Sequence, residues 1–285
     1  MPTLTVIGNC QAESLRKLLM STGRFESVRI PPVHELTAED MPWFREMLQR
    51  TDVVVSQPIH DDYRGLPVGT AQTFAQVPAH VKKVVVPVLR FDGLMPYQAI
   101  IRDPEDSSLN PPVVPYHDLR LLVAAAGKGN YPARIAGADA LRRSAAMSVR
   151  QMRDRERRHG AVVISDFLET NPVWHTVNHP NNETLQTLAA GVLRRLGIPD
   201  ASVTPPGCEM LGELDAPVLA ESADALGVDS TAIAGRDYWK TRADGPIDHD
   251  LITSEQLEFY RQRPRLVEHG LRRHAKRIEN LGLMG

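Results

Sequence analysis

Two residues stand where their types and settings could carry covalent chemistry: Cys10, in Gly8-Asn9-Cys10-Gln11-Ala12, and His179, in Asn178-His179-Pro180-Asn181. Leu4, Val6 and Ile7 make a short apolar, β-branched run, Gly8 and Asn9 make a turn, and Leu15, Leu18 and Leu19 follow at the spacing of a helix with one buried face. Cys10 is therefore expected at a strand-to-helix corner. At such a corner the N–H groups that open the helix stabilise a thiolate or a developing oxyanion, and this edge of an open α/β sheet is where ligands bind. Free cysteine is also among the most buried residue types, yet the polar Asn9 and Gln11 beside it favour chemistry over core packing. His179, held stiffly by a Pro-Asn turn at a helix entrance, is the expected base for Cys10. Asp166, Glu13 and Glu183 are the alternatives for a group that orients the imidazole, and the sequence does not choose among them.

Other constellations compete with these two. Cys10 and Arg16 have the Cys-x5-Arg spacing of tyrosine-phosphatase loops, with Asp103-Pro104 as a possible acid. A phosphate cradle needs inward-turned N–H groups, however, and Gln11-Ala12-Glu13-Ser14-Leu15 has no glycine and places a carboxylate where phosphate would sit. His60-Asp61-Asp62, His117-Asp118 and Asp248-His249-Asp250 contain metal-ligating types, but adjacent residues rarely chelate one ion, so no metal is expected and His117 is kept as a pocket residue. The arginines between Arg142 and Arg158 read either as a solvated helix face or as partners for a phosphate-bearing ligand.

These residues need a scaffold, and the chain outlines one. Asp52 to Gln57 and Lys83 to Leu89 contain the continuous runs Val53-Val54-Val55 and Val84-Val85-Val86 expected of strands covered on both faces. Each ends in polar residues, Ser56-Gln57 in the first case and Arg90 in the second. Val28 to Ile30 is expected as a further short strand, Ala38 to Gln49 and 71–74 as helical, 102–116 as a long surface loop, Tyr116-His117-Asp118 as the opening of a helix, and Ala138 to His159 as a long basic helix. Ala161 to Asp166 reads as the last core strand. Beyond it, Leu185, Leu188, Ala189, Val192, Leu193 and Leu196 form one apolar helix face between an Asn cap and Gly197.

Composition sets outer limits. The chain has 285 residues, a formal charge of −2 and a sequence pI near 6.6, so nothing draws it globally to nucleic acid or to anionic membranes, and a charged small molecule is the better expectation. Two distant cysteines, Cys10 and Cys208, make no disulfide framework, which points to a reducing, cytoplasmic setting. The first residues read as a strand rather than as an export signal, and no run approaches the ~20 apolar residues that span a bilayer, so an unexported protein is expected.

Taken together, Gly8-Asn9-Cys10-Gln11-Ala12, Ser56-Gln57-Pro58-Ile59, Tyr116-His117-Asp118 and Asn178-His179-Pro180-Asn181 resemble the WcbI-type polysaccharide biosynthesis proteins, over roughly residues 4 to 196. The resemblance implies an acyltransferase that binds coenzyme A, with Cys10 as the catalytic thiol and His179 as its partner. The layout is also similar to SGNH-type hydrolases, although no Asp stands two or three residues before His179. The expected fold is thus α/β, a mainly parallel sheet with flanking helices in an SGNH- or flavodoxin-like layout, plus a C-terminal helical extension. Residues 1–200 are expected to form the catalytic domain and residues 201–285 an irregular and helical extension packed on it. The expected reaction is transfer of an acyl group, acetyl by preference, from coenzyme A to a hydroxyl or amine of a sugar-like acceptor. Cys10, His179, Asn9, Gln57, Asp166 and Glu13 are expected at the chemistry, and Gly8, Gln11, Ser56, Arg90, His117, Arg150 and Arg153 at the donor. A Cys-dependent phosphatase or thioesterase and a non-catalytic coenzyme A-binding protein are the alternatives.

Overall fold

The computed structural model describes residues 1–284. In chain order its first elements are β1 (Leu4–Ile7), α1 (Cys10–Met20), α2 (Met41–Gln49), β2 (Val53–Ser56), α3 (Thr70–Gln76) and β3 (Lys82–Val85). β4 (Gln98–Ala99), β5 (His117–Asp118), α4 (Leu119–Ala125), α5 (Ala138–His159), α6 (Ser165–Leu168), β6 (Trp174–Thr176), β7 (His179–Pro180) and α7 (Asn182–Leu196) follow. The C-terminal part holds β8 (Leu214–Asp215), α8 (Ala220–Leu226), β9 (Lys240–Thr241), β10 (Gly245–Pro246), α9 (His249–Arg261), α10 (Pro264–Arg273) and α11 (Ala275–Asn280). Two compact units arise from interleaved segments. The first contains Met1–Arg90, Arg150–Asn171 and His179–Leu211, and the second Phe91–Val149, Pro172–Asn178 and Gly212–Gly285.

The first unit is the α/β part. β1, β2 and β3 form a parallel sheet in the order β1-β2-β3, with Leu4 beside Val53 and Val53 beside Lys82. Every residue of β1 and β2 is buried, as a strand covered on both faces requires. Alternation along the strands sends Ile7 and Val54 into a cluster with Met41, Phe44 and Leu48 of α2, while Leu4 and Val6 point the opposite way. α1 packs against β1 and α7. Asn181 caps α7 by accepting the Thr184 N–H at 3.0 Å, and Gly197, in the left-handed region at φ 79°, ends it.

Two expected strands differ. Val28 is exposed and unpaired by any ladder; Glu26 instead bridges Thr3, its carbonyl accepting Leu4 N–H at 2.7 Å, and Ile30 tucks into the α2 cluster. The segment from Ala161 runs beside β3, with Val162 N–H donating to Val85 O at 2.9 Å, but it leaves the extended conformation at Ser165, where α6 begins. The cause is Glu156 of α5. Its buried carboxylate accepts Ile164 N–H and Ser165 N–H at 2.9 Å each and the Ser165 hydroxyl at 2.6 Å, so these donors go to a side chain rather than to a ladder.

The second unit is built on helices. α4 packs against α9 and α10 around Leu119, Leu122, Leu266 and Leu271, and a small antiparallel sheet runs in the order β10-β9-β8. Among the described residues no helix is long and apolar enough to cross a membrane.

Candidate functional site

At the end of β1 the chain turns through Gly8 and Asn9, and Cys10 is the first residue of α1. Asn9 is extended, with φ −82° and ψ −162°, and its Oδ1 accepts Gln11 N–H at 3.0 Å while its carbonyl accepts Ala12 N–H at 2.9 Å. These bonds answer two of the N–H groups that a helix start leaves without intrahelical partners. Gln57, one residue past β2, accepts Asn9 N–H on Oε1 at 2.9 Å and donates its amide to Gln11 Oε1 at 2.8 Å. Gln11 then grips Leu89: its Nε2 donates to Leu89 O at 2.7 Å, and its Oε1 accepts Leu89 N–H at 3.0 Å. A belt of two buried amides thus ties together the chain beyond the ends of all three parallel strands, behind the Cys10 turn. Gly8 makes room for it, because a Cβ at that position would stand 2.5 Å from Gln57 Oε1.

Cys10 Sγ lies 3.8 Å from His179 Nε2, and both residues are half-buried. The histidine arrives from β7, immediately before Pro180 and the Asn181 cap of α7, so the packing of α1 on α7 brings imidazole and thiol together. Burial pushes the Cys10 thiol up; the backbone N–H groups of Gln11 and Cys10 oppose this, and the negative charge of Glu35 adds to it. A thiol held protonated in this way needs a base to become a nucleophile, and the imidazole stands within reach of its proton.

The other expected site residues fall in several places. Glu13 forms an ion pair with Arg16 at 2.7 Å, and the guanidinium holds its carboxyl below the ordinary range. Asp166 is exposed on α6 and pairs with Arg153 at 2.7 Å, which also reaches Glu169 at 3.0 Å. These pairs commit both carboxylates to arginines. Ser56 is buried, its hydroxyl donating to Gln57 O at 2.8 Å. Arg90 is half-buried, with its carbonyl accepting the Arg155 guanidinium at 3.1 Å, and Arg150 is exposed on α5. His117 belongs to the second unit, buried between Tyr260 OH and Ile101 O at 3.0 Å each, and burial pushes its pKa down to about 4. It is a neutral structural imidazole. Among the described residues no three His, Cys, Asp or Glu side chains converge on a point that could hold a metal ion.

The amide belt and the Glu156 staple escape sequence reasoning. Their only trace is a polar residue at each strand end and one glutamate in a run of arginines, and neither names a partner.

Comparison with known proteins places the fold. No curated protein matches the chain. A solved structure of WcbI, described as a novel polysaccharide biosynthesis enzyme in its native form without a disulfide bond between coenzyme A and one of its cysteines, superposes with a TM-score of 0.71. It covers 95% of this chain and 98% of its own, at 18% identity, which is a likeness of fold. Residues 3–201 match the family model of the polysaccharide biosynthesis enzyme WcbI. The chain belongs to the WcbI family of polysaccharide biosynthesis enzymes.

Proposed function

We propose that this protein transfers an acyl group, acetyl by preference, from coenzyme A to a hydroxyl or amine of a sugar-like acceptor, with Cys10 as nucleophile and His179 as its base. The observation that carries this reading is the 3.8 Å approach of Cys10 Sγ to His179 Nε2 at the start of α1. His179 takes the thiol proton, and the thiolate forms a bond to the thioester carbonyl carbon. When the carbonyl re-forms, the carbon–sulfur bond to the departing thiol breaks and that thiol takes a proton. The acyl group, now on Cys10, passes to the acceptor as His179 removes the acceptor's proton, which restores the free cysteine.

The oxyanion needs donors that are not already committed. Gln57 has its oxygen on Asn9 N–H and an amide hydrogen on Gln11, while Gln11 N–H is bonded to Asn9. Cys10 N–H and the Asn9 side-chain amide nitrogen are therefore the assigned donors, with Gln57 and Gln11 as positioning residues. A half-buried thiol at a helix start suits a thioester, whose reacting end is uncharged. The coenzyme A named with the WcbI structure agrees with such a donor. In the phosphatase reading Arg16 must be open to phosphate, whereas here Glu13 holds it at 2.7 Å.

The test is brief incubation with acetyl-coenzyme A followed by peptide mass spectrometry. Cys10 is expected to carry the acetyl group, and His179→Ala to acquire it about a hundredfold more slowly or worse. Full transfer activity in Cys10→Ala would remove the covalent mechanism.

A further inference from the structure

A second feature of the first unit lies on the same edge of the sheet as Cys10, two strands across. Beyond the ends of β2 and β3 opens a cleft of about 680 Å³, walled by Pro58, Ile59, Ala71, Phe74 and Val85. His60, Asp61 and His159, all exposed, stand at its mouth. We propose that this cleft binds the acceptor as a pyranose ring, its carbon face against Phe74 and Ile59 and its hydroxyl or amine groups on Asp61, His60 and His159; the proposal rests on the acyl-transfer reading above.

The chemistry of the walls selects the ligand class. An acyl chain would need a closed apolar sleeve, whereas this cleft is open and polar at its mouth. A phosphate would meet the Asp61 carboxylate. A sugar offers what both surfaces require, a carbon face and hydrogens to donate. Asp61 can only accept hydrogen bonds when ionised. His60 Nδ1 lies 2.8 Å from the Asp61 carbonyl, which only accepts, so Nδ1 carries a hydrogen and Nε2 is the ring nitrogen left for a ligand.

The rim is also held in advance of any ligand. Asp61 lies against Gly69, where a Cβ would come within 2.3 Å of Asp61 Oδ1 and 2.6 Å of its Cα. Gln72 of α3 accepts Asp62 N–H and Gly69 N–H at 3.1 Å each and donates to Asp62 Oδ1 at 2.7 Å. Asp62, which takes part in two of these bonds, and Arg64 stand at φ 51° and 55°, conformations that non-glycine residues adopt at a cost and that cluster at ligand sites. Thr70 connects cleft and chemistry: its hydroxyl donates to Gln57 O at 2.7 Å and accepts Ile59 N–H at 2.9 Å, and Gln57 is the residue that braces Asn9.

Saturation-transfer NMR with a panel of methyl pyranosides, including an N-acetylamino sugar, tests the assignment on the full chain. At least one glycoside should take up saturation from the wild type and from Cys10→Ala. Asp61→Asn and Phe74→Ala should each weaken it about tenfold or more, the scale of one lost charge-assisted bond or one lost ring contact. Unchanged coenzyme A affinity by calorimetry will show that these variants are folded; should Phe74→Ala misfold, the exposed Asp61→Asn carries the test. Absence of saturation with every glycoside, or saturation indifferent to Asp61→Asn, overturns the proposal. The two readings fail separately: glycoside bound at the cleft with no acetyl on Cys10 sinks the transferase reading, and acetyl on Cys10 with no glycoside bound sinks the cleft.

Discussion

Gly8→Ala should destabilise the protein through one side chain, and the structure says which. A Cβ at position 8 would meet Gln57 Oε1 at 2.5 Å, its amide carbon at 2.8 Å and its Cγ at 3.0 Å, and these are the nearest atoms it encounters. Gln57 is 4% exposed and must move by roughly an ångström to reach ordinary contact, which breaks its bonds to Asn9 N–H at 2.9 Å and to Gln11 Oε1 at 2.8 Å. A net loss of about 1 kcal/mol per bond, plus the cost of leaving buried amides unsatisfied, gives about 2–4 kcal/mol. Gly8 is not among the residues with positive φ, so alanine is otherwise allowed there. In a Gln57→Ala background the obstructing atoms are gone, and Gly8→Ala should be neutral or stabilising by a few tenths of a kcal/mol through the unfolded state. Urea unfolding of the four proteins, followed by circular dichroism, gives the coupling energy, expected near 3 kcal/mol. Equal costs of Gly8→Ala in the two backgrounds would refute the steric account of the belt.

Glu156→Ala removes the acceptor of three buried bonds, at 2.9, 2.9 and 2.6 Å, and should cost about 3 kcal/mol or more in urea unfolding, whereas Glu156→Gln keeps an oxygen for both N–H donors and should cost less than half of that. His117 should make stability depend on pH. Its pKa falls from 6.5 in the unfolded chain to about 4 in the fold, so the unfolded state binds more protons in that window. Stability is therefore lost as the pH falls from about 6.5 toward 4, by about 3 kcal/mol from this group, and His117→Gln should flatten the slope of Tm against pH there.

How far the sequence reveals this arrangement depends on how local each cause is. The α/β class is legible because Val53-Val54-Val55 is a continuous run and α7 shows one apolar face, and both patterns record burial directly. The α7 boundaries are legible because Asn181 and Gly197 do their capping within one turn of themselves. The corner at Cys10 is legible for the same reason. Asp166 is a different case: a strand end is where a carboxylate could turn toward His179, and only the fold reveals that Glu156, on another element, draws the chain into α6 and leaves Asp166 facing Arg153. The Gln11–Gln57 belt is invisible for a related reason, since an amide suits capping, ligand binding or bridging equally until its partner is known.

The Cys10–His179 pair proposed to react is held from two sides, and this locates where the geometry is sensitive. Cys10 is fixed by Asn9 and the amide belt, which act on the first turn of α1. His179 is fixed by Pro180 and by Asn181, whose side chain is bonded to Thr184 N–H at 3.0 Å and to the Thr184 hydroxyl at 2.7 Å. α1 also packs directly on α7, and each helix carries a buried apolar face, with Leu15, Leu18 and Leu19 on one and Leu185, Leu188 and Val192 on the other, so the 3.8 Å separation between thiol and imidazole depends on how these helices pack. Close-packed interiors shift by fractions of an ångström when a methylene is removed, and a proton transfer across a sulfur–nitrogen contact depends on that distance. Volume changes in this interface should thus act on the proposed chemistry through the thiol–imidazole distance.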